Sequence, residues 1–342
     1  RDELKAYANV LKQMGKGVIE VALTRQIGVL DDEQCDMLDF LLEESGRPVT
    51  FIALFDRDDI PEAVRDTLRR AAPMIAKGAR PQTSPLPLTR NINMRNPFTF
   101  AAFPSWGQVF EDTSRESQRA IYADPGFRDR FREDLKRPQT VINWDRLVLH
   151  EAQASEIRRF EGQSVAEIAQ TRGGDEVNAF LDVAVADNLA CEYTYASFNT
   201  RPERMREVLN DPSVLLGLGD GGAHLDILCD SGYPTYLLGT WVRERQAITS
   251  EEAVRRLTSD PADMFGIRDR GRLKPGLAAD ICVYDPATVG SSNRGERRHD
   301  LPGGGKRMVM PSRGICYTVV NGRIVYADGA LTGDAGGQVL RS

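Results

Sequence analysis

Strand-like and helix-like segments alternate over the first 80 residues, and this alternation constrains the fold more than any other feature. Helical apolar spacing over 2–15 precedes a strand-like run at 18–23. A predicted helix from Asp31 to Glu44 then precedes a β-branched run at 48–54. Because strands that alternate with helices of this length form βα units, the pattern predicts an α/β fold with a parallel sheet.

Composition narrows the class of protein. The chain has 342 residues, 41% of them hydrophobic, and a formal net charge of -6. It has no basic stripe and no run of 18 apolar residues, so we expect neither a nucleic-acid partner nor a membrane span. Its five cysteines are widely spaced, odd in number and without a Cys-x-x-Cys pair. That usage favours a reducing compartment, and we expect a cytoplasmic protein.

Two regions depart from the alternation of strands and helices. Residues 80–115 contain five prolines and predict a long, lid-like loop, whose aromatic residues either line a pocket or hold the loop on the body. Beyond residue 267 the runs become short and strand-like, at 271–273 and 280–284. Two alternating runs flank Asn321-Gly322, which is the strongest short-range signal for a β-hairpin. We therefore expect a small β module at the C-terminal end.

One segment contains the candidate catalytic residues. The apolar run from Leu215 ends in Asp220, two glycines follow at Gly221 and Gly222, and His224 comes two residues later. A buried strand that ends this way places the carboxylate and the imidazole at its open mouth, where the glycines let a ligand approach the backbone. The chain has only three histidines, and His150 follows a strand-like run at 145–149, so it either reaches the same mouth or is structural.

A set of motifs in fixed order now points to a family. The segment Gly219–His224, the segment Asp269–Asp280 and the segment Val319–Arg323 together resemble the metal-dependent amidohydrolase superfamily, in its N-acyl-D-amino-acid deacylase (D-aminoacylase-like) branch. The resemblance implies a (β/α)8 TIM-type barrel with a small β-sandwich. On that basis residues 1–267 would be a partial barrel that includes the lid-like loop at 80–115 and lacks the first strands. Residues 268–342 would be the sandwich subdomain.

The resemblance also implies a cofactor and a reaction. The cofactor would be a divalent metal, zinc first, with Asp220 and His224 as ligands. Asp220 would also be the general base in cleavage of an amide in an N-acyl (D-)amino acid or a similar small molecule. For substrate binding we name Gly221, Gly222, His150 and Arg95. Arg95 is one of three arginines, with Arg80 and Arg90, that could clamp a carboxylate, and only one of them is expected to matter.

Two departures from the family pattern keep alternatives open. The chain has no His-x-His pair, and the strand ends Ala22-Leu23-Thr24 and Leu54-Phe55-Asp56 carry no histidine. One alternative is a catalytically silent barrel fragment that acts as a structural or binding partner. Another is a cyclic amidase of the hydantoinase or dihydroorotase type. An incomplete barrel would expose a strand edge, so we also expect a homo-oligomer.

Overall fold

The structure is a computed structural model that describes residues 1–23, 25–52, 54–137, 142–219, 221–223, 225–292 and 295–340. Its helices are α1 Asp2–Met14, α2 Asp32–Ser45, α3 Ala63–Ala76, α4 Gly107–Glu111, α5 Arg115–Ala123, α6 Pro125–Asp134, α7 Ser155–Arg158, α8 Val165–Arg172, α9 Glu176–Ala186, α10 Pro202–Leu209, α11 Tyr233–Tyr236, α12 Ser250–Leu257 and α13 Ser259–Met264. A π-helix, Leu237–Glu244, continues α11, and 3-10 turns cover Phe98–Phe100, Pro104–Trp106 and Pro302–Gly304.

The strands are β1 Ile19–Ala22, β2 Val49–Ile52, β3 Ala79–Thr83, β4 Leu88–Asn93, β5 Leu147–Glu151, β6 Glu192–Phe198, β7 Leu215–Leu216, β8 Ile281–Tyr284, β9 Gly290–Ser291, β10 Glu296–Leu301, β11 Gly305–Val309, β12 Ser312–Arg313, β13 Ile315–Val320, β14 Arg323–Ala327 and β15 Ala330–Leu331. None of the described helices combines the length and the hydropathy needed to cross a membrane.

The predicted parallel sheet is present. Strands β1, β2, β3 and β7 lie side by side in that order, and each neighbouring pair is parallel. Helix α2 connects β1 to β2, α3 connects β2 to β3, and α10 precedes β7. The α/β prediction is therefore confirmed. Within the described residues this sheet has four strands, and β1 has a neighbour on one side only. The closed eight-stranded barrel stays a prediction.

Local capping explains where several helices begin. The Asp31 side chain accepts a hydrogen bond from the Gln34 N–H, and the Gln34 side chain accepts one from the Asp31 N–H, which starts α2. Ser164 and Glu167 form the same reciprocal pair at α8. Such a capping box pairs N–H groups that have no partner within the helix.

A second sheet interrupts the βα pattern between β3 and α10. Strands β4, β6 and β5 form it in that order, and both pairings are antiparallel. Residues between β4 and β6, including those of α4 to α9, supply a large shared core in which Trp106, Phe131 and Phe180 are fully buried. We call residues 88–198 the insert. It is a folded unit with its own core. Asn199, just after its last strand, is hydrogen-bonded to Asp56 and Ser84, which follow the carboxyl ends of β2 and β3.

The prediction of a lid-like loop over 80–115 is wrong. The stretch holds most of β3 and all of β4 and α4, with two 3-10 turns between β4 and α4. Strand β4 pairs with β6, about a hundred residues later in the chain, and local patterning does not report such a partner. Of the aromatic residues in this stretch, Phe100 and Phe103 line a cavity, and Phe100 also stacks on Trp106 in the insert core, at 4.3 Å between ring centroids.

The C-terminal hairpin prediction is confirmed. Strands β13 and β14 pair with Val320 opposite Arg323, and Asn321 and Gly322 have φ of 49° and 79°. Strands β8 and β15 complete an antiparallel sheet of four described strands. The strand predicted at 271–273 is wrong, because Gly271 has a φ of 83° and the chain bends there. The sandwich arrangement and the division at residue 268 stay predictions.

One hydrophobic cluster crosses that division. Val289, Met308 and Met310 pack with Leu86 and Trp241, together with other residues of the body. The Trp241 indole N–H also donates to the Pro85 carbonyl oxygen at 2.8 Å. The segment from Val289 to Met310 therefore shares a core with the part of the chain that precedes it.

Candidate functional site

A cavity of about 320 Å³ lies where the parallel sheet meets the insert. Ile27 follows β1 and Arg57 follows β2, so the parallel strands contribute to it through the loops at their carboxyl ends. Strands β4 and β6 contribute Arg90 and Tyr195 from the other side. Ligands of open α/β sheets bind outside the carboxyl ends of the strands, and a cavity of this volume holds a small molecule.

Strand pairing explains why the insert presents these side chains together. Arg90 of β4 lies opposite Tyr195 of β6, and Leu147 of β5 lies opposite the same tyrosine. Directly paired residues share one face of a sheet. All three line the cavity, so this face of the insert forms one of its walls.

Two of the acidic groups at the cavity are already paired. Arg57 binds Asp59 through both carboxylate oxygens, with Nε–Oδ1 at 2.9 Å. Asp58 forms a salt bridge with Arg146 and accepts a hydrogen bond from the Asn143 side-chain amide at 3.3 Å. These pairs leave little acidic charge free to meet a further cation.

Arg90 differs from the other charged groups of the cavity. Its side chain has no hydrogen bond or salt bridge within the part of the chain that the structure describes, and its Nε is fully buried. Burial lowers the pKa of the Arg90 guanidinium from its usual value, but the group remains charged at neutral pH. Burial likewise raises the pKa of Tyr195, whose hydroxyl oxygen accepts the Asn143 N–H at 3.1 Å.

A buried polar network fixes the strand ends next to the cavity. Asp56, which is 1% exposed, forms a salt bridge with Arg201, and its N–H donates to the Asn199 side-chain oxygen at 2.9 Å. The Asn199 amide donates in turn to the Ser84 carbonyl oxygen at 2.8 Å. The ends of β2, β3 and β6 are thereby joined.

The two residues that carried the catalytic prediction, Asp220 and His224, lie outside the described residues. Gly221 and Gly222 are exposed and lie in a turn. A side chain at Gly221 would bring its Cβ within 3.1 Å of the Ser231 Cβ, which accounts for a glycine there. Their roles in substrate binding stay predictions.

Described residues on either side of this segment form backbone hydrogen bonds. The Gly219 carbonyl oxygen accepts the Asp230 N–H at 2.9 Å. The Asn91 N–H of β4 donates to the Ile227 carbonyl oxygen at 2.7 Å, and the Met308 N–H of β11 donates to the Leu225 carbonyl oxygen at 2.6 Å. Leu225 and Ile227 are therefore bonded to the hairpin of β10 and β11 and to the insert, respectively.

Arg95 is not a cavity residue. Its guanidinium binds the Gln118 side chain and the Thr113 carbonyl oxygen, at 3.0 Å for the latter, and so fastens parts of the insert together. Arg80 donates to the Ala79 carbonyl oxygen at 2.7 Å, near the amino end of β3. Of the three candidate arginines, the structure brings only Arg90 into the cavity.

His150 lies in β5, where the register with β6 shifts between Leu149 and Glu151. Because β5 is an antiparallel strand of the insert, His150 does not stand at the carboxyl end of a parallel strand. The expectation that it follows a barrel strand is therefore wrong. The pattern before it was a genuine strand signal, but a single strand does not reveal which sheet it joins.

Within the described residues, no group of three or more His, Cys, Asp or Glu side chains could hold a metal ion. The ends of β1 and β2 carry buried apolar side chains instead, with Leu23 8% exposed, Leu54 1% and Phe55 5%. The ligands named from this chain are therefore Asp220 and His224, and both lie outside the described residues.

Sequence reasoning missed the groups that follow β2. Arg57, Asp58 and Asp59 form a polar run a few residues after the buried strand β2, and that run was the signal available in the sequence. Asn143 and Ser197 gave none, because their place in the cavity depends on how the insert folds back over the sheet.

Known proteins include relatives of this chain. The sequence profile of the amidohydrolase family matches residues 143–326. An uncharacterized protein of Mycobacterium tuberculosis is 32% identical over 238 residues, which is 65% of this chain and 38% of that protein. The N-acyl-D-glutamate deacylase of Alcaligenes xylosoxydans xylosoxydans is 31% identical over 188 residues, 53% of this chain and 33% of the enzyme. The chain thus spans well under half of these relatives.

A solved structure shows the same fold. The N-acyl-D-glutamate deacylase from Bordetella bronchiseptica superimposes on this chain with a TM-score of 0.50 at 20% identity. That structure was solved with zinc and a phosphonate inhibitor that mimics the tetrahedral intermediate. The match covers 100% of this chain and 66% of that one.

Proposed function

The chain belongs to the amidohydrolase family, and from that premise we propose that it hydrolyses the amide bond of an N-acyl amino acid or a similar small molecule. The family match carries this proposal, because the matched range 143–326 contains the segment with Asp220 and His224. An Alcaligenes relative is named for deacylation of N-acyl-D-glutamate, so N-acyl-D-amino acids are the first substrates to test.

In this proposal Asp220 is the general base. It accepts a proton from the attacking water and passes it to the leaving amine, the standard task of a positioned carboxylate. Support comes from its place in the chain, four residues after the buried pair Leu215–Leu216 of β7. The anchored flanking residues Gly219 and Ile227 add support, because a base must be held at a fixed position to be effective.

We propose a divalent metal as cofactor, with Asp220 and His224 as the ligands from this chain. Zinc is the metal named for the Bordetella relative. Such an ion, when bound, lowers the pKa of a coordinated water toward roughly 7. The described residues supply no further ligand cluster, so metal content is a direct test.

The decisive experiment measures amine release from N-acetyl-D-glutamate and other N-acetyl-D-amino acids by wild type and Asp220→Asn. We expect the substitution to lower turnover by at least about 100-fold, since general-base catalysis contributes that much, with little change in melting temperature. Asp328→Asn is the matched control, because Asp328 is exposed with a φ of 50°, a conformation asparagine also accepts. Equal turnover in wild type and Asp220→Asn would exclude this mechanism.

A second candidate is a catalytically silent barrel fragment that binds a partner. The buried apolar ends of β1 and β2, Leu23 and Leu54, favour it, because they leave no ligand where the family pattern calls for histidine. Metal analysis of the purified chain separates the candidates. A content well below one ion per chain together with no turnover supports the fragment, whereas one ion that is lost in His224→Ala supports the enzyme.

A cyclic amide remains the alternative substrate. Hydantoin and dihydroorotate belong in the same assay, because ring opening also cleaves a C–N bond and would use the same general base. Turnover of a cyclic substrate without turnover of any N-acetyl amino acid would replace the first proposal with this one.

A further inference from the structure

We infer that the cavity between the parallel sheet and the insert is a binding site for a small organic carboxylate, and that Arg90 holds its anionic end. The Arg90 guanidinium lines this cavity and has no partner among the described residues. The inference rests on the cavity itself and does not require the chain to hydrolyse an amide.

Charge balance in the cavity points to an anion. Arg57 is neutralised by Asp59, with Nη2–Oδ2 at 2.5 Å, and Asp58 is neutralised by Arg146. These pairs leave the positive charge of Arg90 uncompensated by any described cavity residue. Buried charges in proteins are ordinarily paired, so an unpaired one facing a cavity indicates that its counter-ion comes from outside the chain.

Tyr195 supplies a second donor next to Arg90. It is the cross-strand partner of Arg90, so both side chains lie on one face of the insert sheet. Its hydroxyl oxygen already accepts the Asn143 N–H at 3.1 Å, and within the described residues the hydroxyl proton has no acceptor. A guanidinium fork and a phenol hydroxyl can therefore both donate to one carboxylate, whose oxygens accept several hydrogen bonds.

The rest of the cavity is suited to an apolar group. Phe103, Phe198 and Ile92 contribute to its walls. Phe198 is held in place by stacking on Phe55 at 5.0 Å between ring centroids. A volume of about 320 Å³ admits a ligand with one ring or a short branched chain beside the carboxylate.

The test compares two ligands that cannot be hydrolysed, 3-phenylpropanoate and its neutral analogue 3-phenylpropan-1-ol, by calorimetric titration of the whole chain. Wild type should bind the carboxylate roughly tenfold to hundredfold more tightly than the alcohol, the usual strength of a hydrogen bond to a charged group. Arg90→Gln should abolish this preference. Arg90→Lys keeps the charge without the planar fork and should retain part of it.

Arg130→Gln is the matched control, because Arg130 is an exposed arginine of the same insert and does not line the cavity. It should keep the full preference for the carboxylate. Melting curves check the fold of each variant, and if Arg90→Gln is unfolded the comparison of Arg90→Lys with wild type decides. Equal binding of the two ligands to wild type, or an unchanged preference in Arg90→Gln or Arg90→Lys, would overturn the inference. Because neither ligand contains an amide, failure here is distinct from failure of the proposed hydrolysis.

Discussion

Arg297 of β10 forms a salt bridge with Glu192 of β6, and the glutamate is 4% exposed. The same guanidinium contacts the Glu151 carboxylate at 3.1 Å. Asn93 donates its side-chain amide to Glu192 at 3.0 Å, so the buried carboxylate is held by several donors. This contact joins the hairpin of β10 and β11 to the insert, on the face of the insert sheet opposite Arg90.

Removing Arg297 should destabilise the protein. Arg297→Met leaves the Glu192 charge buried with only amide donors, and losing one partner of a buried pair costs about 3 kcal/mol. Urea unfolding measures the change. Arg298→Met is the control, because Arg298 is half exposed and lies 4.0 Å from its partner Glu296, and such surface pairs are worth about 1 kcal/mol or less. Equal destabilisation by the two variants would show that the buried pair has no special role.

The insert core should be sensitive to loss of an aromatic ring. Phe180 is fully buried and lies 4.9 Å from Tyr193 and 5.5 Å from Phe100, between ring centroids. Phe180→Ala should lower the free energy of unfolding by about 3–5 kcal/mol through lost burial and the cavity left behind. Phe98→Ala, at a side chain that is 56% exposed, should cost far less. A small effect at Phe180 would mean that the insert adds little to global stability.

Stability should fall in alkaline solution. Burial raises the pKa of the Cys191 thiol to about 12 and raises that of the Tyr193 hydroxyl well above its usual value. The unfolded chain ionises these groups at about 8.5 and about 10, so the stabilisation is complete below those values and is lost as pH rises above them. Each group adds a slope of about 1.4 kcal/mol per pH unit.

Urea unfolding from pH 8 to 10.5 tests this, with Cys191→Ala combined with Tyr193→Phe as the comparison. The double variant should show a flatter decline than wild type, although its stability at pH 7 falls because the Tyr193 hydroxyl donates to the Phe180 carbonyl oxygen at 3.1 Å. Parallel declines would mean that other groups cause the alkaline loss.

The hairpin turn should depend on its glycine. Gly322 has a φ of 79°, which costs an L-residue about 1–2 kcal/mol. Gly322→Ala should therefore lower stability by roughly that amount. Gly174→Ala is the control, since no atom lies within 4 Å of a Cβ at that position and its φ is not in the positive range. A neutral effect at Gly322 would show that the turn relaxes to another type.

The open edge of the parallel sheet should lead to association. Among the described strands β1 pairs only with β2, so its outer N–H and C=O groups remain available to another strand. We expect a dimer or larger assembly in sedimentation velocity. A single monomeric species at micromolar concentration would contradict this expectation.

Local patterning determined much of the fold. The βα units, the capping box at Ser164 and the turn at Asn321-Gly322 follow from interactions between residues close in sequence, which explains why they could be predicted. The ordered motifs around Asp220 identified the family for the same reason, because a motif is a local string. The catalytic role of Asp220 stays a prediction, which the Asp220→Asn variant tests.

Only the tertiary structure decided the rest. The pairing of β4 with β6 joins residues about a hundred positions apart, and it turned an expected loop into a folded insert. His150 lies in that insert, in the antiparallel strand β5. The same pairing also separated Arg90 from Arg80 and Arg95, three arginines that look alike in the sequence. A side chain becomes a candidate for binding when its neighbours leave its charge unpaired in a cavity, and those neighbours are set by long-range packing.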